Sequence, residues 1–172
     1  MTDWTSPKTW AAETLTSTDL NTYVRDNFNH LYDRANSVEY YNLNAGADIS
    51  TSSSTFTLVD AGFGLAITTT GGPLFVWFAG SITHPSNGAD RTYFDIYLNS
   101  AYVGGDDGIV EVTVDTAGDA GNASFFYHIP APTAGVQTVQ LHWKTSGGDA
   151  KMWAGAGTTN HDLHPQFGVF EG

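Results

Sequence analysis

The sequence predicts a mainly β protein, an antiparallel β-sandwich of jelly-roll type preceded by one N-terminal amphipathic α-helix. Three observations carry this reading. A helical period is confined to residues 1–40, the apolar pattern alternates from Phe56 onward, and turn signals punctuate that second part at short, near-regular intervals.

The helix comes first. Val24, Phe28, Leu31, Ala35 and Val38 follow one another at spacings of four, three, four and three, and Leu20 extends the stripe. This is the rhythm of a helix with one narrow apolar seam. Thr16 and Asp19 make a capping-box-like start, which places the first helical residue near Ser17. Asn36 and Ser37 mark the end only faintly, since no Gly or Pro follows at once. Each buried Leu, Val or Phe contributes about 1.5–3 kcal/mol, so the seam is expected to be covered, either by the chain's own β domain or by copies of itself. In the second case Asn21 and Asn27, close to the seam, would help to set register. Trp4 and Trp10 flank Pro7 in an extended segment, and two such aromatics need a neighbour to dock on.

Residues 41–55 read as a linker or a weak edge strand, being rich in Ala, Gly, Ser and Thr, and residues 56–172 as the β-sandwich domain. Leu74 to Ala79 is almost wholly apolar, the pattern of a strand covered on both faces, either central or at a subunit interface. Arg91 to Leu98 alternates, with Phe94, Ile96 and Leu98 on one face and Tyr93, Asp95 and Tyr97 on the other. In Ala123 to Ile129, Phe125, Tyr127 and Ile129 oppose Phe126 and His128. Val139, Leu141 and Trp143 face in, while Gln140, His142 and Lys144 face out. Shorter strands are expected at 56–59, 65–69, 101–103, 109–114, 151–154 and 167–170. Asn99-Ser100 is short enough to be a hairpin turn. Strands of this spacing without a further helix predict two packed sheets; strand order stays open.

A chain of 172 residues without cysteine can bury its own core and has neither disulfides nor a thiolate metal site to stabilise it. Its net charge of −12 excludes the clustered Lys and Arg that bind nucleic acid. No apolar run approaches the roughly 20 residues of a membrane span, and Asp3, Trp4 and Lys8 stand where a signal peptide would be apolar, so neither membrane insertion nor export by a signal peptide is expected.

Candidate chemistry is sparse. Asp106 and Asp107 lie in a Gly-flanked loop, and His161 and His164 are three residues apart; both are candidate metal ligands, but neither has the spacing of an EF-hand or a zinc hydrolase, and a solvated turn and structural histidines are the plainer readings. No nucleophile elbow, phosphate loop or dinucleotide fingerprint occurs, so no catalytic residue and no cofactor is assigned. Tyr93, Tyr97 and Tyr102, with Trp77 and Trp153, would stack on sugars if exposed in a row, although in a sandwich such residues more often belong to a core or an interface.

The opening Trp4…Pro7-x-Thr9-Trp10…Leu15-Thr16…Leu20-Asn21-x-x-Val24-Arg25-Asp26-Asn27…Leu31 resembles the N-terminal segment of bacteriophage virion proteins described as tail or minor tail proteins. The later runs Phe94-Asp95-Ile96, Val103 to Gly108, Leu141 to Thr145, Ala154 to Thr158 and His164 to Phe167 are similar to β domains that follow that segment in phage-like sequences of no known activity. In general architecture the β domain also resembles the trimeric jelly rolls of the tumour-necrosis-factor and complement type. The resemblance implies a virion structural protein, a capsid decoration, short fibre or minor tail component. It would be a homotrimer assembled in the host cytoplasm, with Trp4, Trp10, Leu20, Val24, Phe28, Leu31 and Ala35 as anchor and oligomerisation residues and capsid or tail subunits as partners. Two further readings stand beside it: a carbohydrate-binding adhesin in which Tyr93, Tyr97 and Tyr102 touch host glycans, and a polysaccharide-degrading enzyme, for which no carboxylate pair stands out.

Overall fold

The computed structural model describes residues 4–6, 8, 9, 14, 16–86, 89–155 and 162–172. Helical structure runs without a break from α1 (Ser17–Leu20) through a π-helical turn (Asn21–Arg25) into α2 (Asp26–Ala35). The start is the expected one. The Thr16 hydroxyl accepts the Asp19 N–H at 3.1 Å, and the Asp19 carboxylate accepts the Thr16 N–H in return at 3.1 Å. At the other end the Asn36 side chain donates to the Tyr32 carbonyl at 2.7 Å. Val38, read as the last member of the helix seam, lies beyond the helix as the first residue of a strand.

Among the described residues twelve strands follow: β1 (Val38–Asn42), β2 (Ile49–Thr51), β3 (Thr57–Leu58), β4 (Gly64–Thr69), β5 (Leu74–Thr83), β6 (Arg91–Leu98), β7 (Ala101–Tyr102), β8 (Val110–Thr113), β9 (Ala120–Ile129), β10 (Gly135–Thr145), β11 (Ala150–Met152) and β12 (Gln166–Glu171). They form two six-stranded sheets in which every pairing among the described residues is antiparallel. In the first sheet β5 is the spine. β9 lies along one edge of it, and β12 and β11 share the other edge, continued outward by β1 and β2 respectively. In the second sheet β10 pairs with β6 on one side and with β4 and β3 on the other, while β8 and β7 extend β6. The stretch 41–55 thus provides the edge strand β2 and the last two residues of the edge strand β1. The β6–β7 hairpin turns on Asn99 and Ser100, both at positive φ (45° and 76°), as a two-residue loop between twisted strands requires.

The core between the sheets is apolar and dense with rings. Leu74, Val76 and Phe78 of β5 meet Phe94 and Ile96 of β6, Leu141 and Trp143 of β10, and Phe167 and Val169 of β12, all essentially without solvent contact. Phe63 links them, edge-on to Phe78 and Phe167 with centroids 6.2 and 5.8 Å away.

Two residues depart from the expected faces. His142 is expected to face out and Asp95 lies on the face opposite Phe94 and Ile96, yet both are buried: the chain after β7 folds over Asp95, and Tyr97 and Tyr102 pack on His142. Asp95 Oδ1 accepts the Ile96 and Gly104 amides at 2.7 and 2.8 Å, and a Cβ at Gly108 would come within 2.3 Å of the Phe94 carbonyl oxygen. The tight Gly104–Gly108 loop is therefore built around a buried carboxylate. The apolar β5 is central in its sheet, one of the two places expected for it, and Phe75 and Trp77 on its outer side are half-buried.

Candidate interaction surfaces

The N-terminal segment folds back along the helix. Asn27, which is buried, holds it by a two-way clamp: its Oδ1 accepts the Thr5 N–H and its Nδ2 donates to the Thr5 carbonyl, each at 2.9 Å. Asn27 thus holds the chain's own N-terminal segment against the helix. Trp4 packs edge-on against His30 at 5.8 Å, and Lys8 pairs with Asp19 at 3.1 Å. The Thr16 hydroxyl and the Lys8 ammonium hold the Asp19 carboxyl below the usual carboxylate range. One stripe of the helix, Tyr23, Asn27 and His30, is covered in this way.

The adjacent stripe is the predicted seam, and it is open. Leu20, Val24, Phe28 and Leu31 are 47, 39, 67 and 49% exposed, and Ala35 is exposed as well. No strand packs along the helix among the described residues. Its ties to the sandwich are at its C-terminal end, where Ser37 Oγ donates to the Thr68 carbonyl at 2.9 Å and Arg34 faces the buried Glu171. Of the two partners open to the seam, the chain's own β domain is not the one that covers it. Between seam and N-terminal segment lies an apolar hollow of about 420 Å³, lined by Trp4, Tyr23, Val24, Asn27, Phe28 and Leu31. Trp10 lies outside the described residues.

A second apolar surface, unassigned at the sequence level, is the outer side of the first sheet. The strand registers align Val38, Phe170, Phe75 and His128 in one cross-strand row, and Tyr40, Gly168, Trp77 and Phe126 in the next. Phe75 is the hub, stacked on Phe126 at 5.5 Å and on Phe170 at 5.2 Å. The Trp77 indole lies flat on Gly168, where a Cβ would come within 2.0 Å of the ring, so glycine there is what admits the ring to the sheet surface. Phe126 and Tyr40 remain 64 and 70% exposed. The alternation in β9 had placed Phe126 and His128 outward; the missing signal was that their neighbours across the sheet are rings too.

The tyrosines read as a possible sugar platform do meet, but not as an exposed row. Tyr97 packs against Tyr102 and His142, both with centroids 4.7 Å away, and the Tyr102 hydroxyl lies 3.0 Å from His142 Nδ1. Tyr93 and Tyr97 are half-buried and Tyr102 is 41% exposed. Lys144 sits over the rings of Phe56 and Tyr93 at 4.8 and 5.0 Å. Its ammonium also donates to the Asp106 carbonyl and pairs with Asp107 at 3.6 Å. The loop read as a candidate metal site therefore directs its oxygens at an internal cation. A cleft of about 460 Å³ opens beside it, between Phe56, Tyr102, Asp106 and Lys144.

Burial dominates the electrostatics beneath that cluster. It pushes the Asp95 carboxyl up against the opposing pull of its amide donors and Lys144, and it pushes the His142 imidazole down. Asp95 Oδ2 and His142 Nε2 are buried without a hydrogen-bond partner. His164 places Nδ1 3.3 Å from the Leu43 carbonyl and Nε2 3.7 Å from Asp162, and His161 lies outside the described residues. No group of three or more metal-ligating side chains occurs among the described residues.

No family model matches the chain, and the search of curated proteins finds no match. Solved structures that resemble it include structures of infectious bursal disease virus. The Gx strain matches at 18% identity and a TM-score of 0.45, over 77% of this chain and 35% of that one. The Gt strain matches at 16% identity and 0.43, over 79% and 38%, and the VP2 subviral particle at 17% and 0.43, over 78% and 36%. The chain spans little more than a third of the length of those chains.

Proposed function

We propose that this chain is a structural component of a virion, and that it assembles with copies of itself through the open seam of its N-terminal helix. The observation that carries the assembly is the exposure of Leu20, Val24, Phe28 and Leu31 on a helix whose other stripe is already covered. An isolated amphipathic helix of this length gains little from propensity alone and depends on packing of its apolar face. The virion setting rests on the resemblance of the opening segment, with Trp4, Leu20, Val24 and Leu31, to the N-terminal segment of phage virion proteins. We take the finer identity to be a capsid decoration, short fibre or minor tail component of a bacteriophage, with a trimer as the assembly and no catalytic role. The β-sandwich is then the module displayed outward.

Sedimentation velocity of the full chain tests the assembly. Wild type is expected as an oligomer, and Val24→Asp or Leu31→Asp as a folded monomer, with loss of incorporation into particles of the virus that encodes it. Native mass and incorporation retained by both variants would remove the helix from the account.

The cleft between Phe56, Tyr102, Asp106 and Lys144 favours one other reading, a host-glycan contact in which a sugar ring stacks on Phe56 and Tyr102 while Lys144 and Asp106 meet its hydroxyls. Binding on a glycan array that is lost in Tyr102→Ala and Phe56→Ala would support it, and binding unaffected by both would dismiss it.

A further inference from the structure

On the outer side of the first sheet, the part built by β1, β12, β5 and β9 is aromatic and carries no charged side chain, the sheet's one outward charge in these registers being Lys151 on β11, which pairs with Asp48. Along β1, β12, β5 and β9 the outward residues are Val38, Tyr40 and Asn42; Phe170, Gly168 and Gln166; Phe75, Trp77 and Ala79; and His128, Phe126 and Ser124. None is Asp, Glu, Lys or Arg, on a protein of net charge −12. We propose that this face docks on a second copy of this chain, as an interface separate from the helix seam but continuous with it; the inference deepens the assembly reading above and rests on it.

Four arguments point to a second copy. The first is charge: two molecules at −12 repel, and the surfaces on which they meet at least cost are those without carboxylates, whereas a basic partner would be matched by an acidic face. The second is anatomy. The rings cluster at the end of the face nearest the helix, and the uncharged polar side chains Asn42, Gln166 and Ser124 lie at the other end, the apolar core and polar rim of a protein interface. A sugar site would instead intersperse hydrogen-bonding groups among its rings. The third is continuity. Val38 completes the four–three rhythm of the seam in sequence and opens the first row of this face in space, with only Asn36 and Ser37 between the helix and β1. The last is size. Four strands about 4.8 Å apart and some eight residues long give a footprint on the order of 500 Å², short of the roughly 800 Å² that each partner contributes to a standard interface. The helix seam supplies the remainder.

The test compares the full chain with Phe126→Lys, Tyr40→Glu and, as the separate probe of the helix, Phe28→Asp, by sedimentation over a dilution series. Phe126 and Tyr40 are largely exposed, so both variants should keep the wild-type circular dichroism and melting temperature. Each is expected to weaken association on the order of thirtyfold or more, as loss of a central interface residue does. Association unchanged in both face variants but lost in Phe28→Asp overturns this inference and leaves the helix reading standing. The reverse pattern keeps the face and removes the helix. A wild-type monomer at every concentration, or a monomer whose face binds glycan and loses it in Phe126→Lys, overturns both assembly readings. Should Phe126→Lys fail to fold, Tyr40→Glu at the sheet edge decides alone.

Discussion

Two buried carboxylates, treated in opposite ways by their surroundings, show how much the fold depends on single polar residues. Glu171 is buried, which by itself raises its pKa, yet the Thr70 amide and hydroxyl, the Gly72 amide and the Arg34 charge outweigh burial and hold it below the usual carboxylate range. Its folded pKa is depressed, so its contribution to stability is present above the unfolded value and is lost as pH falls through the folded one. Glu171→Gln is expected to lose about 1–3 kcal/mol at neutral pH and to flatten the acid limb of a stability profile; an unaltered acid limb in denaturant titrations at several pH values would refute the assignment. Asp95 runs the other way. Burial raises its pKa, so what it contributes is present at low pH and is lost as pH rises through the folded value. Asp95→Asn keeps an acceptor for the Ile96 and Gly104 amides and removes the charge. It should melt higher than wild type at neutral pH, with the advantage gone below the usual carboxylate range, and melting curves at pH 4 and pH 7 would show a fixed offset if burial were not the cause. His142 and His84, both held down chiefly by burial, add a separate acid liability that begins as pH falls below the ordinary imidazole value.

At the scale of elements, most of the architecture was legible because periodicity reports on faces. The capping box, the seam and each strand expected from 56 onward rest on apolar spacing and turn residues, and each is present. What was not legible depended on contacts between distant segments. β1 straddles the expected boundary at residue 40 and is exposed along its whole length, so no alternation marks it as a strand, whereas β2 is the weak edge strand expected within 41–55. Asp95 and His142 alternate correctly, but the loop at Gly104 covers the first and Tyr97 and Tyr102 cover the second, and period two says nothing of what lies over a face. Asn27 is expected to help set register because it flanks the seam; its partner within the chain, Thr5, is 22 residues away in an extended segment with no period of its own. That clamp is open to test. Asn27→Ala removes two backbone hydrogen bonds, at about 1 kcal/mol each, and should release residues 4–8 from the helix. Trypsin would then cut after Lys8 several-fold faster while the melting temperature of the sandwich stays within a degree or two, whereas equal cleavage rates would mean that Trp4 on His30 and Lys8 on Asp19 suffice to hold the segment.

For the molecule as a whole, charge and apolar surface pull in opposite directions. A net charge of −12 on 172 residues keeps copies apart at long range, while the helix seam and the aromatic sheet face, both continuous through Val38, favour contact at short range. The two act over different distances: repulsion between exposed charges is screened beyond about 10 Å at 0.1 M salt, and burial of apolar area is not weakened by salt. If assembly proceeds through those uncharged surfaces, raising ionic strength must strengthen it. The association constant of the full chain should therefore rise between about 0.02 and 0.5 M sodium chloride, as the Debye length shortens several-fold, and should rise again as pH is lowered from neutral toward the sequence pI near 4.4 until acid loss of the Glu171 and histidine contributions intervenes. An interface built on ion pairs would show the opposite sign, with association falling as salt increases. Sedimentation in a salt series thus separates the two kinds of contact without any substitution, and a falling association constant would mean that charged loops, and not the seam and the aromatic face, hold the copies together.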